Sequence, residues 1–313
     1  MKQYAIDSKK VENILLKFGL GKLESVEENK IGTINPVFLI NQKYVLRIDL
    51  SESGNENKLK KESILFNLLP KFSIPTPKFI GFDDSCQLIG RPFLLIDFIP
   101  GKNLKDGFES LDFDSKKQIS FELGEIAKKI HSVTSTDLEN QQLFGDIETW
   151  VKKEKQDFQT YWQVIKDNCY LTDNTNNEIQ KLFDDYNLIS DWQGIGRLAH
   201  GDFSPNNIRI NNNHIAGIFD FEFATIADPL YDLQKLPINF QLGDDFDSSY
   251  FLKGCDIKKV SGEEMTRLKF YCLSQGLWEI WATHTQLFPY GDREIEEGRD
   301  LIENAIKLNT PQF

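Results

Sequence analysis

Leu198-Ala199-His200-Gly201-Asp202-Phe203-Ser204-Pro205-Asn206-Asn207-Ile208-Arg209-Ile210, followed closely by Ile218-Phe219-Asp220-Phe221-Glu222, is the stretch on which the reading of this chain turns. It describes a loop with a carboxylate, Asp202, and an amide, Asn207, five positions apart, and a second carboxylate, Asp220, thirteen positions beyond the amide. Asn211-Asn212-Asn213 has the composition of a tight turn, so the apolar runs on either side of it read as a hairpin. A hairpin brings the ends of its strands together, which predicts that Asn207 and Asp220 converge. An amide oxygen and a carboxylate are hard oxygen ligands of the kind Mg²⁺ takes alongside phosphates and water. Asp202, further back along the loop, is left to face an acceptor hydroxyl. Taken singly, each residue has a plainer reading, because Gly-Asp and Asn-Asn also serve as turn punctuation and Asp220 as a cap. In this order and spacing they match a site for phosphoryl transfer, which needs a base or orienter, two metal ligands and a cationic phosphate anchor.

The anchor is sought in the first hundred residues, which read mostly as strands. Lys30-Ile31 closes an early strand, residues 32–36 form a turn, and Val37-Phe38-Leu39-Ile40 and Tyr44-Val45-Leu46-Arg47-Ile48 continue an antiparallel meander. A helix follows over residues 57–69, stopped by Pro70, Pro75 and Pro77. Strands at 78–80 and 93–96 come next. Glu62 lies three residues from Leu59 and Leu65 and four from Phe66, on the apolar face of that helix. A carboxylate there is costly unless paired, and Arg47 on the third strand is the expected partner. Beyond Pro100-Gly101 the pattern turns helical, with helices predicted over 115–131 (Ser115 and Gln118 as a capping box), 147–166, 177–186 and 263–286. The expectation is an α+β bilobal enzyme: residues 1–98 as a nucleotide-binding lobe, residues 99–313 as a catalytic and substrate-binding lobe, and the site in the cleft.

Composition narrows the class. With 24 Phe, 5 Trp and 40% hydrophobic residues, the chain can bury enough apolar surface to fold. At 36 Lys+Arg against 48 Asp+Glu, a net charge of -12, it lacks the basic footprint of a nucleic-acid binder and leans towards cationic small molecules. The longest apolar run, residues 93–99, is interrupted by Asp97 and falls short of a membrane span, and the first residues have no apolar signal core. Cys86, Cys169, Cys255 and Cys272 lack metal-type spacing and read as reduced, largely buried thiols. A cytoplasmic protein with no membrane or nucleic-acid partner is expected. Its oligomeric state is left open.

The His200-Gly201-Asp202 and Asn207 loop, followed by Asp220 and then Ala227-Asp228-Pro229-Leu230-Tyr231-Asp232-Leu233, resembles the kinase-like aminoglycoside phosphotransferase and choline kinase family. The likeness extends over nearly the whole chain, although residues 135–195 and 240–313 match only in helical character. It implies a protein-kinase-like fold in which Asp202 is the catalytic aspartate and Asn207 and Asp220 hold Mg²⁺. His200, Asp228 and Asp232 then brace the loop. It also implies that Arg47, held by Glu62, grips the phosphates of ATP or GTP, although many relatives carry Lys at that strand position. In the same comparison Thr33 or Asn35 of the early turn faces the phosphates, or the turn is a plain hairpin. The carbonyl of Asp97 and the N–H of Ile99 hold the purine edge. The implied acceptor is a small molecule. An aminoglycoside or other antibiotic comes first, and choline, homoserine or a sugar metabolite is the alternative. A protein kinase fits less well, because the loop arginine and an Ala-Pro-Glu segment are missing. A nucleotide-binding scaffold without transfer activity is the reading from another class. Trp278 and Trp281 read as core, and His131 and His284 as packing or surface residues. Asp244, Asp245, Asp247, Glu294, Glu296 and Glu297 read as solvated acidic faces.

Overall fold

The computed structural model describes residues 6–29, 36–50, 57–189, 194–287 and 291–308. The expected early strand end at Lys30-Ile31 and the turn carrying Thr33 and Asn35 lie outside the described residues.

The first element is a helix that the strand-rich reading of this region overlooked, α1 (Ser8–Phe18). Asp7 caps its start by accepting from the Lys9 N–H, and Gly19 ends it in the left-handed conformation, its N–H directed to the Leu15 and Leu16 carbonyls. Val11, Ile14 and Leu15 make one buried face, a helical spacing legible in the sequence. Three strands follow, β1 (Val26–Asn29), β2 (Val37–Ile40) and β3 (Tyr44–Ile48), then α2 (Lys58–Leu68), β4 (Phe79–Asp83) and β5 (Phe93–Asp97). The sheet order is β1-β2-β3-β5-β4, with every neighbouring pair antiparallel. Arg47 pairs with Val37 on one side and Leu94 on the other.

β5 is a continuous apolar run because both of its faces are covered. Phe93 and Leu95 join Val11, Ile14, Leu15 and Leu46 in one cluster under α1. Leu94 and Ile96 join Leu59, Leu65 and Phe66 of α2 in the main core. The leucine-rich face of α2 therefore docks on the sheet side opposite α1.

The rest of the chain is mainly helical: β6 (Lys102–Asn103), α3 (Leu104–Gly107), α4 (Phe113–Ile130), α5 (Ile147–Asp167) and α6 (Asp173–Ile189). The start of α4 differs from expectation. Asp112 is its cap, accepting from the Ser115 N–H, so Ser115 is a residue of the first turn. β7 (Arg197–Ala199), β8 (Ile208–Asn211), β9 (His214–Ile218) and β10 (Thr225–Ala227) come next, followed by α7 (Ser248–Gly254), α8 (Gly262–His284) and α9 (Asp292–Lys307). β6, β8 and β9 form one small sheet, and β7 and β10 another. Stacked rings of Phe158, Phe183, Phe270 and Tyr186 tie α5, α6 and α8 together, at centroid separations of 3.7 to 5.0 Å for the stacked pairs. α4 and α7 meet backbone to backbone: a Cβ on Gly124 would lie 2.0 Å from the Phe251 carbonyl oxygen. The fold is thus α+β, an antiparallel sheet lobe followed by a helical lobe. No helix among the described residues is long and apolar enough to cross a membrane.

The thiols differ from expectation as well. All four are free, but Cys86 and Cys169 are exposed, Cys255 is half-buried and only Cys272 is buried.

Candidate active site

The quoted loop leaves β7, which is locked in place by pairing with β10. Directly beneath it sits Asp232, 1% exposed. Its carboxylate accepts the backbone N–H of His200 at 2.8 Å and of Gly201 at 3.0 Å, and it contacts His131 Nε2 at 2.9 Å. Burial opposes ionisation of Asp232, but the hydrogen bond and charge of His131 outweigh it and hold the carboxyl below its usual range. Gly201 takes φ +82°, and a Cβ there would lie 2.4 Å from the Phe223 carbonyl oxygen, so the turn accepts only glycine. His200 spans the loop: its Nδ1 accepts the Asp202 N–H at 3.3 Å, and Nε2 is 3.0 Å from the Phe219 carbonyl oxygen. With Nδ1 accepting, Nε2 is the nitrogen placed to donate to that carbonyl.

Asp228 supplies a second brace, also 1% exposed. Arg267 Nε donates to it at 2.7 Å and the Tyr271 hydroxyl at 2.9 Å, tying the segment to α8.

Asp202, held from below by this scaffold, is open above, with 40% of its side chain exposed. Asn207 Nδ2 donates to both its carbonyl oxygen (3.0 Å) and Oδ2 (2.9 Å). Asn207 thereby spends its amide N–H groups on Asp202 and keeps Oδ1 as an acceptor. The Phe219 N–H donates to the Asn207 carbonyl at 3.0 Å, so the β8–β9 hairpin brings the segment before Asp220 back to Asn207. Asp220 adopts φ +68°, a conformation aspartate tolerates better than most residues, at the start of the short turn Phe221–Phe223. Its side chain is 36% exposed.

The strand cation reaches the same place. Arg47 hydrogen-bonds Glu62 through one terminal nitrogen and Asp220 Oδ1 at 3.0 Å through the other, with Glu222 3.8 Å away. Lys58 lies 3.6 Å from Glu222. Burial works against the Arg47 charge, but Glu62, Asp220 and Glu222 together hold the guanidinium above its ordinary value. Burial also pushes the Glu62 carboxyl upward, opposed by Arg47, and the same cause, reinforced by Asp220, raises Glu222. No cluster of three or more His, Cys, Asp or Glu that could enclose a metal occurs among the described residues. The donor set here, one amide oxygen and one carboxylate, fits a hard cation that takes its remaining ligands from phosphate and water.

A cleft of about 830 Å³ is lined by Asp202 and Asp220 together with residues of α5, α8 and α9. Trp150, Glu154, Asp157 and Tyr161 form its α5 wall, and Ser274, Gln275, Trp278 and Glu279 its α8 wall. Trp278 therefore faces the cleft, a correction to its reading as core, whereas Trp281 packs on Tyr161 at 4.8 Å. Glu294 and Glu297 line the cleft too, while Asp247 caps α7 and Asp245 pairs with Lys116. Nine carboxylate side chains and four cationic ones border the cavity. Glu154 is buried with Ser274 donating to it at 2.5 Å, and burial pushes its carboxyl up to about 7. Lys235 Nζ stands 3.8 Å from Asp202 Oδ1 and 3.8 Å from Glu279 Oε1.

The structure thus brings Asp202, Asn207, Asp220, Arg47 and Glu62 together. Asp97 and Ile99 lie outside the lining of the cleft. The Asp97 N–H is engaged by the Lys78 carbonyl at 3.0 Å, and the Ile99 side chain occupies the space beside Gly217. Sequence reasoning passed over Glu222, Lys58, Glu154, Lys235 and Glu279. Two of them carried a signal: Glu222 follows Asp220 by two residues and Lys235 follows Asp232 by three. The α5 and α8 residues carried none, because only tertiary packing turns those helix faces towards Asp202.

A model of the phosphotransferase enzyme family matches residues 25–271. Among solved structures, the chain is similar to the GDP and kanamycin complex of an APH(2″) aminoglycoside phosphotransferase, with 20% identity, 96% of this chain and 98% of that one covered, and a TM-score of 0.71. It is also similar to the streptomycin–ATP ternary complex of APH(2″)-IIa, with 18% identity, 96% and 97% covered, and a TM-score of 0.65. At these identities the likeness is one of fold. Among curated proteins, acyl-CoA dehydrogenase family member 10 of Mus musculus is 23% identical over 259 residues, which are 79% of this chain. The chain spans 23% of the length of that relative.

Proposed function

The chain belongs to the phosphotransferase enzyme family, and on that premise we propose that it transfers the γ-phosphoryl group of ATP or GTP to a hydroxyl of an amine-bearing small molecule. The observation that carries this reading is the pairing of Asp202 with Asn207 and of Asp220 with Arg47, the two aspartates lining an open, acid-rich cleft. Residues 1–98 are assigned to the nucleotide and residues 99–313 to catalysis and the acceptor.

In this reading Arg47, held by Glu62, grips the donor phosphates, and Asn207 Oδ1 and Asp220 hold Mg²⁺. When bound, the ion neutralises phosphate charge. The acceptor oxygen bonds to the γ-phosphorus as the bond to the β–γ bridging oxygen breaks. The electron pair leaves with the nucleoside diphosphate, and the hydroxyl proton passes to the Asp202 carboxylate. Asn207 fixes the rotamer of that carboxylate, and the Asp232 brace fixes the loop beneath it. Thr33 and Asn35 are assigned to the phosphates, and Asp97 and Ile99 to the base.

The excess of carboxylates around the cleft, with Trp150, Tyr161 and Trp278 among them, suits an acceptor with several ammonium groups. An aminoglycoside or related antibiotic is the first choice. A metabolite such as choline, homoserine or a sugar is the second, favoured by a cleft that also carries Lys105, Lys153, Lys235 and Arg293. The test is a screen of nucleoside diphosphate release with MgATP and MgGTP against aminoglycosides, macrolides, choline, homoserine and sugars, with products identified by mass. A phosphorylated amine-bearing acceptor is expected. Nucleotide binding without turnover on any acceptor would overturn the proposal in favour of a scaffold, and phosphorylation of a mixed protein substrate alone would point to a protein kinase.

A further inference from the structure

Lys235 belongs to none of the roles assigned so far. It sits just past the short turn Pro229–Leu233 that carries Asp232, and its side chain is 14% exposed. Its ammonium stands equally far, 3.8 Å, from Asp202 Oδ1 and from Glu279 Oε1. Glu279 comes from α8, which lines the cleft, and is 7% exposed. Gln275 Nε2 donates to its Oε1 at 3.1 Å, but its Oε2 is buried without a hydrogen-bond partner. Such a carboxylate is costly to keep unless a cation faces it. Burial pushes the Glu279 carboxyl upward and Lys235 is the foremost influence opposing it.

The surroundings of Asp202 make the cation informative. The loop from Asp202 to Asn207 contains no Lys or Arg. Its neighbours in the cleft include Asp220 and Glu222, so an incoming triphosphate meets several negative charges. Asn207 restrains Asp202 Oδ2 and Lys235 faces Oδ1, so the two oxygens are held from different elements.

We propose that Lys235, anchored by the buried carboxylate of Glu279, is a positioning residue for phosphoryl transfer that aims the Asp202 carboxylate at the acceptor hydroxyl. This rests on the reading of Asp202 as the proton acceptor. The same ammonium offsets negative charge on the acceptor side of Asp202, where the transferring group gathers it. Arginine keeps the charge, whereas methionine keeps a similar length and loses the charge.

The experiment uses the full chain with MgATP and MgGTP, water serving as the acceptor, and follows nucleoside diphosphate release in wild type, Lys235→Met, Lys235→Arg, Glu279→Gln and Asp202→Asn. The expected result is a fall in kcat of about 10²-fold for Lys235→Met with the nucleotide KM within about threefold of wild type, the size of effect a misaimed group produces. Lys235→Arg is expected to recover most of the rate, and Glu279→Gln combined with Lys235→Met to be no slower than Lys235→Met alone, since the two act as a unit. If Asp202→Asn is slow while Lys235→Met runs at the wild-type rate, the inference fails and the reading of Asp202 stands. If Asp202→Asn itself hydrolyses at the wild-type rate, the reading of Asp202 fails first. Thermal melts separate a purely structural role: a rate loss that follows lowered stability and is not restored by arginine overturns the proposal. Should Lys235→Met not fold, Lys235→Gln and Glu279→Gln carry the same comparison.

Discussion

Asp228 and Asp232 are each 1% exposed, whereas the side chains of Asp202 and Asp220 are 40% and 36% exposed, although all four follow one another closely in the chain. The buried pair is saturated. Asp232 takes two backbone N–H groups and His131, and Asp228 takes Arg267 and Tyr271. The exposed pair is less filled: Asp202 meets the Asn207 amide and, at 3.8 Å, the Lys235 ammonium, Asp220 meets Arg47, and each keeps an open side towards the cleft. One residue type is thus divided between two tasks by its surroundings. A carboxylate whose acceptor capacity is filled sets backbone geometry, and one with capacity to spare is available to a proton or a cation.

Replacing an exposed member should break function and spare the fold. Asp202→Asn retains an oxygen for the Asn207 amide but cannot take a proton. Turnover is expected to fall by about 10³- to 10⁴-fold, some 4 to 5.5 kcal/mol at the barrier. The melting temperature and nucleotide affinity should stay near wild type, as read by steady-state kinetics, thermal denaturation and titration with a non-hydrolysable nucleotide. Wild-type turnover would dissolve the distinction between the two pairs.

Replacing a buried member should do the reverse. Asp232→Ala leaves the His200 and Gly201 N–H groups and His131 without their partner, and about 3 kcal/mol or more of stability is expected to go, measured by urea unfolding. Activity should fall only in proportion to the misplacement of the loop. A variant as stable as wild type would show that the brace is dispensable.

Glu154 sharpens the comparison because it is buried but has a single close donor, Ser274. Its folded-state value of about 7 lies above the ordinary carboxyl value of 4.5, so the folded protein binds the extra proton. The cost of ionising it is absent below about pH 4.5, grows as pH rises to about 7 and is complete above that, on the order of 3 kcal/mol. Glu154→Gln should therefore match wild type in stability near pH 4 and exceed it near pH 8, as read by unfolding at the two pH values. A constant difference across that range would contradict the assignment.

The smallest effect is expected at Arg47→Lys. An ammonium cannot make the two-pronged contact with Glu62 and Asp220, so the nucleotide KM should rise by roughly tenfold, about 1.4 kcal/mol, with kcat less affected. An unchanged KM would place the phosphate grip elsewhere.

Much of this was legible in the sequence where the signal is local. The helical spacing of Leu59, Glu62, Leu65 and Phe66 exposed a carboxylate that needed a cation, and Arg47 on the neighbouring strand meets it. The loop and hairpin around Asp202, Asn207 and Asp220 carried their own turn chemistry, and the Phe219-to-Asn207 hydrogen bond closes that hairpin. Helix α1 was legible too, in the helical spacing of Val11, Ile14 and Leu15. Glu154, Trp278 and Glu279 were not, since a polar or aromatic residue on a long helix reads alike whether it faces solvent, core or cleft.

What the amino-acid sequence determined by itself was the succession of a strand-rich part and a helical part, the α+β class and the chemistry of one loop, because hydrophobic period, turn residues and close spacing act over a few residues. Which acids became braces and which stayed open, that Lys235 stands between Asp202 and Glu279, and that Trp278 lines a cleft were decided only by the tertiary structure. Those outcomes depend on burial and on contacts between residues tens of positions apart, and desolvation is a property of the packed chain that no single segment carries.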